Sequence, residues 1–137
     1  MSEVKVTWVE KAQFVGTDSG RHSIVMSAHN EENTTGSKPS DLLLIALGAC
    51  ASVDLIGILQ KQRQKVNGLQ VIVNGQQNAD PPWAFNQIHV EVIVRGKGLS
   101  AAAVERAISL SIDSYCSVAA TIRATAPITT SYLLVEE

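Results

Sequence analysis

The sequence predicts an α+β fold in which antiparallel sheets pack on a long central helix, and three features carry that expectation. Residues 4–9, 21–27, 69–74 and 87–95 alternate apolar and polar, as half-buried strands do. Residues 40–64, SDLLLIALGACASVDLIGILQKQRQ, are apolar on every helical face through their middle and polar only near their ends. A chain of 137 residues is long enough for one domain, 1–137, with a core that needs neither disulfide nor structural metal.

The elements follow in order. An N-terminal β-hairpin is expected over 3–27, its turn drawn from Gly16 to Gly20. Residues 28–38 are polar, lack periodic apolar positions and read as a solvated loop of the kind that serves a site. Pro39 suits the first turn of a helix, and Asp41 stands near its positive end, so the central helix is placed at 39–65. Asn67 and Gly68 are taken to punctuate its end. A second β-hairpin over 69–95 turns at Asp80, Pro81 and Pro82, with Ile88, Val90, Val92 and Val94 on one face. Ser100 caps helices over 100–126, where Val104, Ala107, Ile108 and Ile112 keep the 3.6 period, and a strand over 128–135 closes the chain.

A central helix of that length would be on the order of 37 Å long, comparable with the diameter of the domain. One sheet covers one side of it. A second copy of the chain is the economical cover for the remaining apolar faces, so a homodimer is expected. A membrane span is disfavoured, because the stretch holds Ser52, Asp54 and two glycines and is bracketed by strand-like alternation.

The net charge of −2 provides no field that would draw nucleic acid or membrane. The opening residues MSEVKVTWVE alternate and have no basic region followed by an apolar one, which leads to the expectation of a cytoplasmic protein. In that compartment two cysteines are reduced or redox-active thiols rather than a permanent staple.

Cys50 lies in the most apolar part of the central helix among Gly48, Ala49 and Ala51, a setting compatible with a packed core thiol and with a reactive one. Cys116 follows Asp113 and Ser114, either of which would cap a new helix beginning SVAATIRATA; the other reading is an unbroken helix with Cys116 in its interior. Asp54 stands one turn after Cys50, where its charge would oppose ionisation of the thiol. A buried carboxylate needs a partner, so Asp54 is either a structural group with a basic or hydrogen-bonding neighbour or a group that orients an arginine. Lowering a thiol pKa calls for a nearby cation, for which Arg21, Arg106 and Arg123 are the candidates. Arg21 opens a strand after Gly20, where it is equally readable as an exposed edge charge. The three histidines have no metal-ligand spacing, so no metal is expected.

The order hairpin, polar loop, SKPSDLLLIALGAC helix, hairpin, helix, SIDSYCSVA and final strand resembles the OsmC/Ohr family (osmotically inducible protein C and organic hydroperoxide resistance), especially its YhfA-type branch. The resemblance covers essentially the whole chain. It implies an OsmC-like fold in which antiparallel sheets wrap long central helices in an intertwined homodimer, with sites at the subunit interface. It also implies roles. Cys50 would be the peroxidatic thiolate that attacks a hydroperoxide and becomes a sulfenic acid, and Cys116 the resolving thiol that forms a disulfide with it. Arg21 would activate the thiolate, and an external dithiol, a lipoyl group in the hydroperoxide-resistance branch, would reopen the disulfide, with no bound cofactor. Two departures stand out. The family's active peroxidases hold the arginine with a glutamate ten residues before the first cysteine, where this chain has Ser40; Asp41 is one position off, a turn of about 100 degrees on a helix. Ser117 stands where many members have proline.

The functional expectation is a thiol-dependent peroxidase that reduces organic hydroperoxides, and hydrogen peroxide less well, in stress defence. The alternative is a non-catalytic stress protein that binds a small apolar ligand in a dimer-interface cavity. A different thiol-dependent enzyme on the same fold is a third reading that no residue selects.

Overall fold

The computed structural model describes residues 1–30 and 32–137. Glu31, inside the expected polar loop 28–38, lies outside the described residues. The chain forms two compact units, Met1–Leu43 and Leu44–Glu137.

In the first unit, β1 (Lys5–Glu10), β2 (Gln13–Thr17) and β3 (Ser23–Ser27) form an antiparallel sheet in that order. The expected hairpin over 3–27 is therefore a three-stranded meander. Two tight turns make room for the extra strand. Lys11 adopts a left-handed φ of 48° between β1 and β2. After β2, the Asp18 carboxylate accepts from the N–H groups of Gly20 and His22, and Arg21 N–H donates to the Asp18 carbonyl. Arg21 thus lies in that turn with φ of 70° rather than opening a strand, and its side chain is exposed. The His22 N–H is the main reason the Asp18 carboxyl sits below its ordinary pKa. The loop that follows is less solvated than its polarity implies. Asn33 is buried, accepting from Ala12 N–H and donating to Asn30, while the Ser27 hydroxyl donates to the Asn33 carbonyl.

The central helix α1 runs Pro39–Lys61, ending four residues before the expected boundary. A Schellman turn stops it: Gln64 N–H reaches the Leu59 carbonyl and Arg63 N–H the Gln60 carbonyl. Arg63 takes the left-handed position, φ of 58°, that glycine usually fills. Strand β4 (Lys65–Gln77) then begins at once, and Asn67 and Gly68 belong to a bulge in it rather than to the helix end. Its partner β5 (Phe85–Lys97) pairs antiparallel and extends past both ends of the expected strand over 87–95. Gly96 is required where the strands meet Lys65, because a Cβ there would overlap the Lys65 carbonyl.

The last strand, β6 (Ile128–Glu136), lies alongside β5 in parallel, so this sheet, of order β4-β5-β6, is mixed rather than purely antiparallel. The expected helices over 100–126 form the crossover that parallel pairing requires. They divide into α2 (Ala101–Leu110), a π-helical turn (Ser111–Tyr115) and α3 (Ser117–Ile122).

The core of the second unit is formed where Leu47, Ala51, Leu55 and Leu59 of α1 meet Ile88, Val90, Val92 and Val94 of β5, together with Val104, Ala107, Ile108 and Ile112. Gly48 lets the helix lie close to β4, since a Cβ there would come within 3.1 Å of Val73 Cγ2. By length and composition α1 passes for a membrane span, yet this stripe of it is fully buried in the core. On the opposite stripe Ile45 is 56% and Val53 72% exposed.

Candidate functional site

Cys50 is half-buried in the middle of α1, next to the fully buried Ala51. The second thiol reaches it through the crossover. At the end of α2 the helix widens by one residue, and Cys116 N–H donates to the Ser111 carbonyl at 2.7 Å, closing the π-helical turn. The fully buried Ser111 hydroxyl donates to the Ala51 carbonyl at 3.2 Å, pinning this turn to the helix beside Cys50. Arg123 pulls on the turn from the other side, donating to the carbonyls of Ile112 at 3.1 Å and Asp113 at 3.3 Å.

Cys116 then leaves the helical region, with ψ of 108°, and caps α3 itself; its sulfur accepts from Ala119 N–H at 3.3 Å. The helix break that the sequence left open is present, and Cys116 rather than Asp113 or Ser114 is the cap. Ser117, the first residue of α3, places its hydroxyl oxygen 4.0 Å from the Cys50 sulfur.

Both thiols are free, and their environments drive them apart. Cys116 is 1% exposed; burial, aided by its hydrogen bond to Cys50, pushes its pKa up to about 11. For Cys50, burial pushes upward but is outweighed by hydrogen bonds from the Cys116 thiol, Val118 N–H, and the Ser117 hydroxyl and N–H, so its pKa falls below the ordinary thiol value. The groups acting on Cys50 among the described residues are a thiol, a hydroxyl and two amides. Each such donor favours the ionised sulfur over the protonated one.

The other expected site residues are distributed differently. Arg21, Ser40 and Asp41 belong to the N-terminal unit, with Ser40 and Asp41 in the first turn of α1. Arg123 is engaged by the π-helical turn and lies 4.0 Å from Asp113 Oδ1. Asp54 and Arg106 line an open groove of about 560 Å³ with Val53, Lys61, Gln62 and Tyr115. Asp54 Oδ2 is buried there without a hydrogen-bond partner among the described residues, contrary to the expectation of a basic or hydrogen-bonding neighbour. Lys61 and Arg106 are exposed, where water competes with pairing. No three His, Cys, Asp or Glu side chains converge as metal ligands among the described residues.

The sequence reading missed the part of Ser111, whose buried hydroxyl fixes the crossover, and noted Ser117 only as a departure. A small polar residue directly after a helix-capping cysteine was the available signal for Ser117.

Comparison with known proteins agrees with this construction. A family model described as OsmC-like protein matches residues 30–131. Protein YhfA of Escherichia coli K12 is 35% identical over 133 residues, spanning 97% of this chain and 98% of that relative. The chain belongs to the OsmC family. Among solved structures, a protein of Aquifex aeolicus VF5 superposes with a TM-score of 0.89 at 26% identity, over 100% of this chain and 98% of the other. The organic hydroperoxide resistance protein OhrB of Bacillus subtilis gives a TM-score of 0.64 at 14% identity, over 97% and 98% of the two chains, a likeness of fold alone. Within the OsmC frame, the Cys50, Cys116 and Ser117 cluster joins the central helix to the crossover of the mixed sheet.

Proposed function

We propose that this OsmC-family protein is a cysteine-based hydroperoxide reductase of stress defence. The observation that carries the reading is that the crossover brings Cys116 and Ser117 up to Cys50, the Ser117 hydroxyl lying 4.0 Å from the Cys50 sulfur, with the pKa of Cys50 lowered and that of Cys116 raised. The Cys50 thiolate attacks the distal oxygen of an organic hydroperoxide; the O–O bond breaks, Cys50 becomes a sulfenic acid, and the alkoxide takes a proton from water to leave as an alcohol. Cys116 then gives up its proton and attacks the Cys50 sulfur, forming a disulfide and releasing water. An external dithiol, a lipoyl group in our reading, reduces that disulfide to two thiols and becomes a disulfide itself. Hydrogen peroxide is reduced by the same steps, less efficiently. Arg21 remains a proposed activator of the thiolate, with Asp41 or Ser40 at the start of α1 and Asp54 in supporting parts.

The working form is a cytoplasmic homodimer that binds neither nucleic acid nor membrane. The exposed stripe of α1 supports the dimer, as do Val6, Trp8, Ile24 and Val25 exposed on the N-terminal sheet. A second reading is a non-catalytic stress protein that binds a small apolar ligand at the dimer interface. The observation in its favour is a hollow of about 330 Å³ on the N-terminal unit lined by Val4, Val6, Ile24 and Met26.

The deciding experiment treats reduced protein with cumene hydroperoxide and follows both thiols by mass spectrometry, in wild type and in Cys50→Ser and Cys116→Ser. We expect rapid disulfide formation in wild type, a stable sulfenic acid in Cys116→Ser and no consumption in Cys50→Ser. Oxidation of the wild type no faster than free cysteine sinks the reductase reading and favours the binding one.

A further inference from the structure

We propose that Ser111 is a positioning residue for the step in which Cys116 captures the Cys50 sulfur, holding the main chain of Cys116 in place against α1. The inference rests on the reading of Cys116 as the resolving thiol. Ser111 is fully buried, and a buried hydroxyl is costly unless it is paired. It donates to the carbonyl of Ala51, the residue after Cys50 in α1, at 3.2 Å. The Ser111 carbonyl accepts from Cys116 N–H at 2.7 Å. One residue therefore ties the main chain beside one thiol to the main chain of the other. The π-helical turn makes this possible, because its wider ring carries the Ser111 carbonyl to Cys116, where an α-helical ring would close on Tyr115. The far side of the turn has its own fastening, since Arg123 donates to the carbonyls of Ile112 and Asp113. Losing the Ser111 hydroxyl thus leaves the turn folded and frees it to shift against α1. Capture is sensitive to such a shift: a disulfide needs alpha carbons roughly 5 to 6 Å apart and a narrow range of angles. With the main chain held, the Cys116 sulfur has only to turn from Ala119 N–H, from which it accepts at 3.3 Å, toward Cys50.

Capture can be timed without a hydroperoxide. Reduced protein is mixed with dipyridyl disulfide: the Cys50 thiolate attacks it, takes one thiopyridyl group and releases one thiopyridone. Cys116 then attacks the Cys50 sulfur; the bond between the two cysteine sulfurs forms, the bond to the thiopyridyl group breaks, and the second thiopyridone leaves with the Cys116 proton. The second release is first order, and its rate does not depend on how fast Cys50 was modified. Cys116→Ser, which can release one thiopyridone only, sets the baseline. Loss of the bond that holds the turn should slow the second release about fivefold in Ser111→Ala. Ser111→Thr keeps the hydroxyl and should close at the wild-type rate. Ile108→Val shortens another buried side chain of the crossover at a comparable cost in stability, and it too should close at the wild-type rate.

A second release at the wild-type rate in Ser111→Ala overturns the assignment. So does equal slowing in Ile108→Val, which makes lost stability rather than lost position the cause. A slow Ser111→Thr overturns it too; if Ser111→Thr does not fold, the comparison with Ile108→Val decides alone. A wild type that releases one thiopyridone only overturns Ser111 and the resolving role of Cys116 together. Consumption of cumene hydroperoxide is measured on the same samples. Slowed closure in a protein that consumes no hydroperoxide supports the Ser111 assignment and overturns the reductase reading. Wild-type closure with full consumption overturns Ser111 and leaves the reductase reading standing. Where hydroperoxide is consumed, slower capture lets a second hydroperoxide reach the sulfenic acid first, so the concentration that converts half of Cys50 to sulfinic acid should fall about fivefold in Ser111→Ala.

Discussion

Cys116→Ala tests the division of labour between the two thiols most directly. In the native site Cys116 is the strongest of the influences that lower the Cys50 pKa, acting against the burial that raises it. A hydrogen bond to an ionised acceptor contributes roughly 1.5–3 kcal/mol, and a thiol is a weak donor, so the low end applies. About 1.4 kcal/mol is a factor of ten in an equilibrium. Cys116→Ala should therefore lower the thiolate fraction of Cys50 at neutral pH by roughly tenfold, with an equal drop in its alkylation rate. Cys116→Ser, which keeps a donor in nearly the same place, should retain most of the wild-type rate. The assay is iodoacetamide alkylation of reduced protein over a pH series, read on the Cys50 peptide. If Cys116→Ala and wild type alkylate at the same rate, Cys116 is not a donor to Cys50 and the reasoning fails. If the alanine and serine variants lose reactivity equally, altered packing rather than the lost donor is responsible.

The remaining predictions concern stability. Cys116, raised to about 11 from an ordinary 9.0 by burial and by its bond to Cys50, contributes stability that is present below the ordinary value and lost as pH rises through the folded one. The urea midpoint of reduced wild type should thus fall more between pH 9 and 11 than that of Cys116→Ala, and parallel curves would refute the linkage. Arg63→Gly relieves a left-handed arginine at the end of α1 and should raise stability by roughly 0.5–1 kcal/mol in urea titration. Ser111→Ala removes the hydroxyl that ties the π-helical turn to Ala51 and should cost about 1 kcal/mol, with faster hydrogen exchange at Cys116 N–H. Arg123→Ala frees the Ile112 and Asp113 carbonyls and should cost roughly 1–2 kcal/mol, while Arg106→Ala, on an exposed helix face, should stay within about 0.5 kcal/mol of wild type.

Much of the molecule was legible in one dimension because the signals are local. The 3.6 period around Val104 to Ile112 and the alternation of Ile88 to Val94 follow from which side chains share a face, and Pro39 marks the start of α1 through its own dihedral preference. The SKPSDLLLIALGAC and SIDSYCSVA segments carry the family, and with it the two thiols. The strand at Gln13–Thr17 escaped because it is short and its turns use Lys11 and Arg21 in left-handed conformations, where glycine or asparagine would have announced them. The early end of α1 escaped for the same reason, an arginine at the position of the expected glycine.

What the sequence determined by itself is therefore the α+β class, the long apolar helix and the identity of Cys50 and Cys116 as the residues to examine. Tertiary structure decided the rest. The parallel entry of β6, the π-helical turn and the capping of α3 by Cys116 depend on which carbonyls lie within reach once α1 and the crossover are packed together. So do the opposite pKa shifts of the two thiols. A thiol pKa is set by burial and by donors that converge from distant positions, and Ser117 reaches Cys50 only because the Ser111 hydroxyl holds the turn against Ala51.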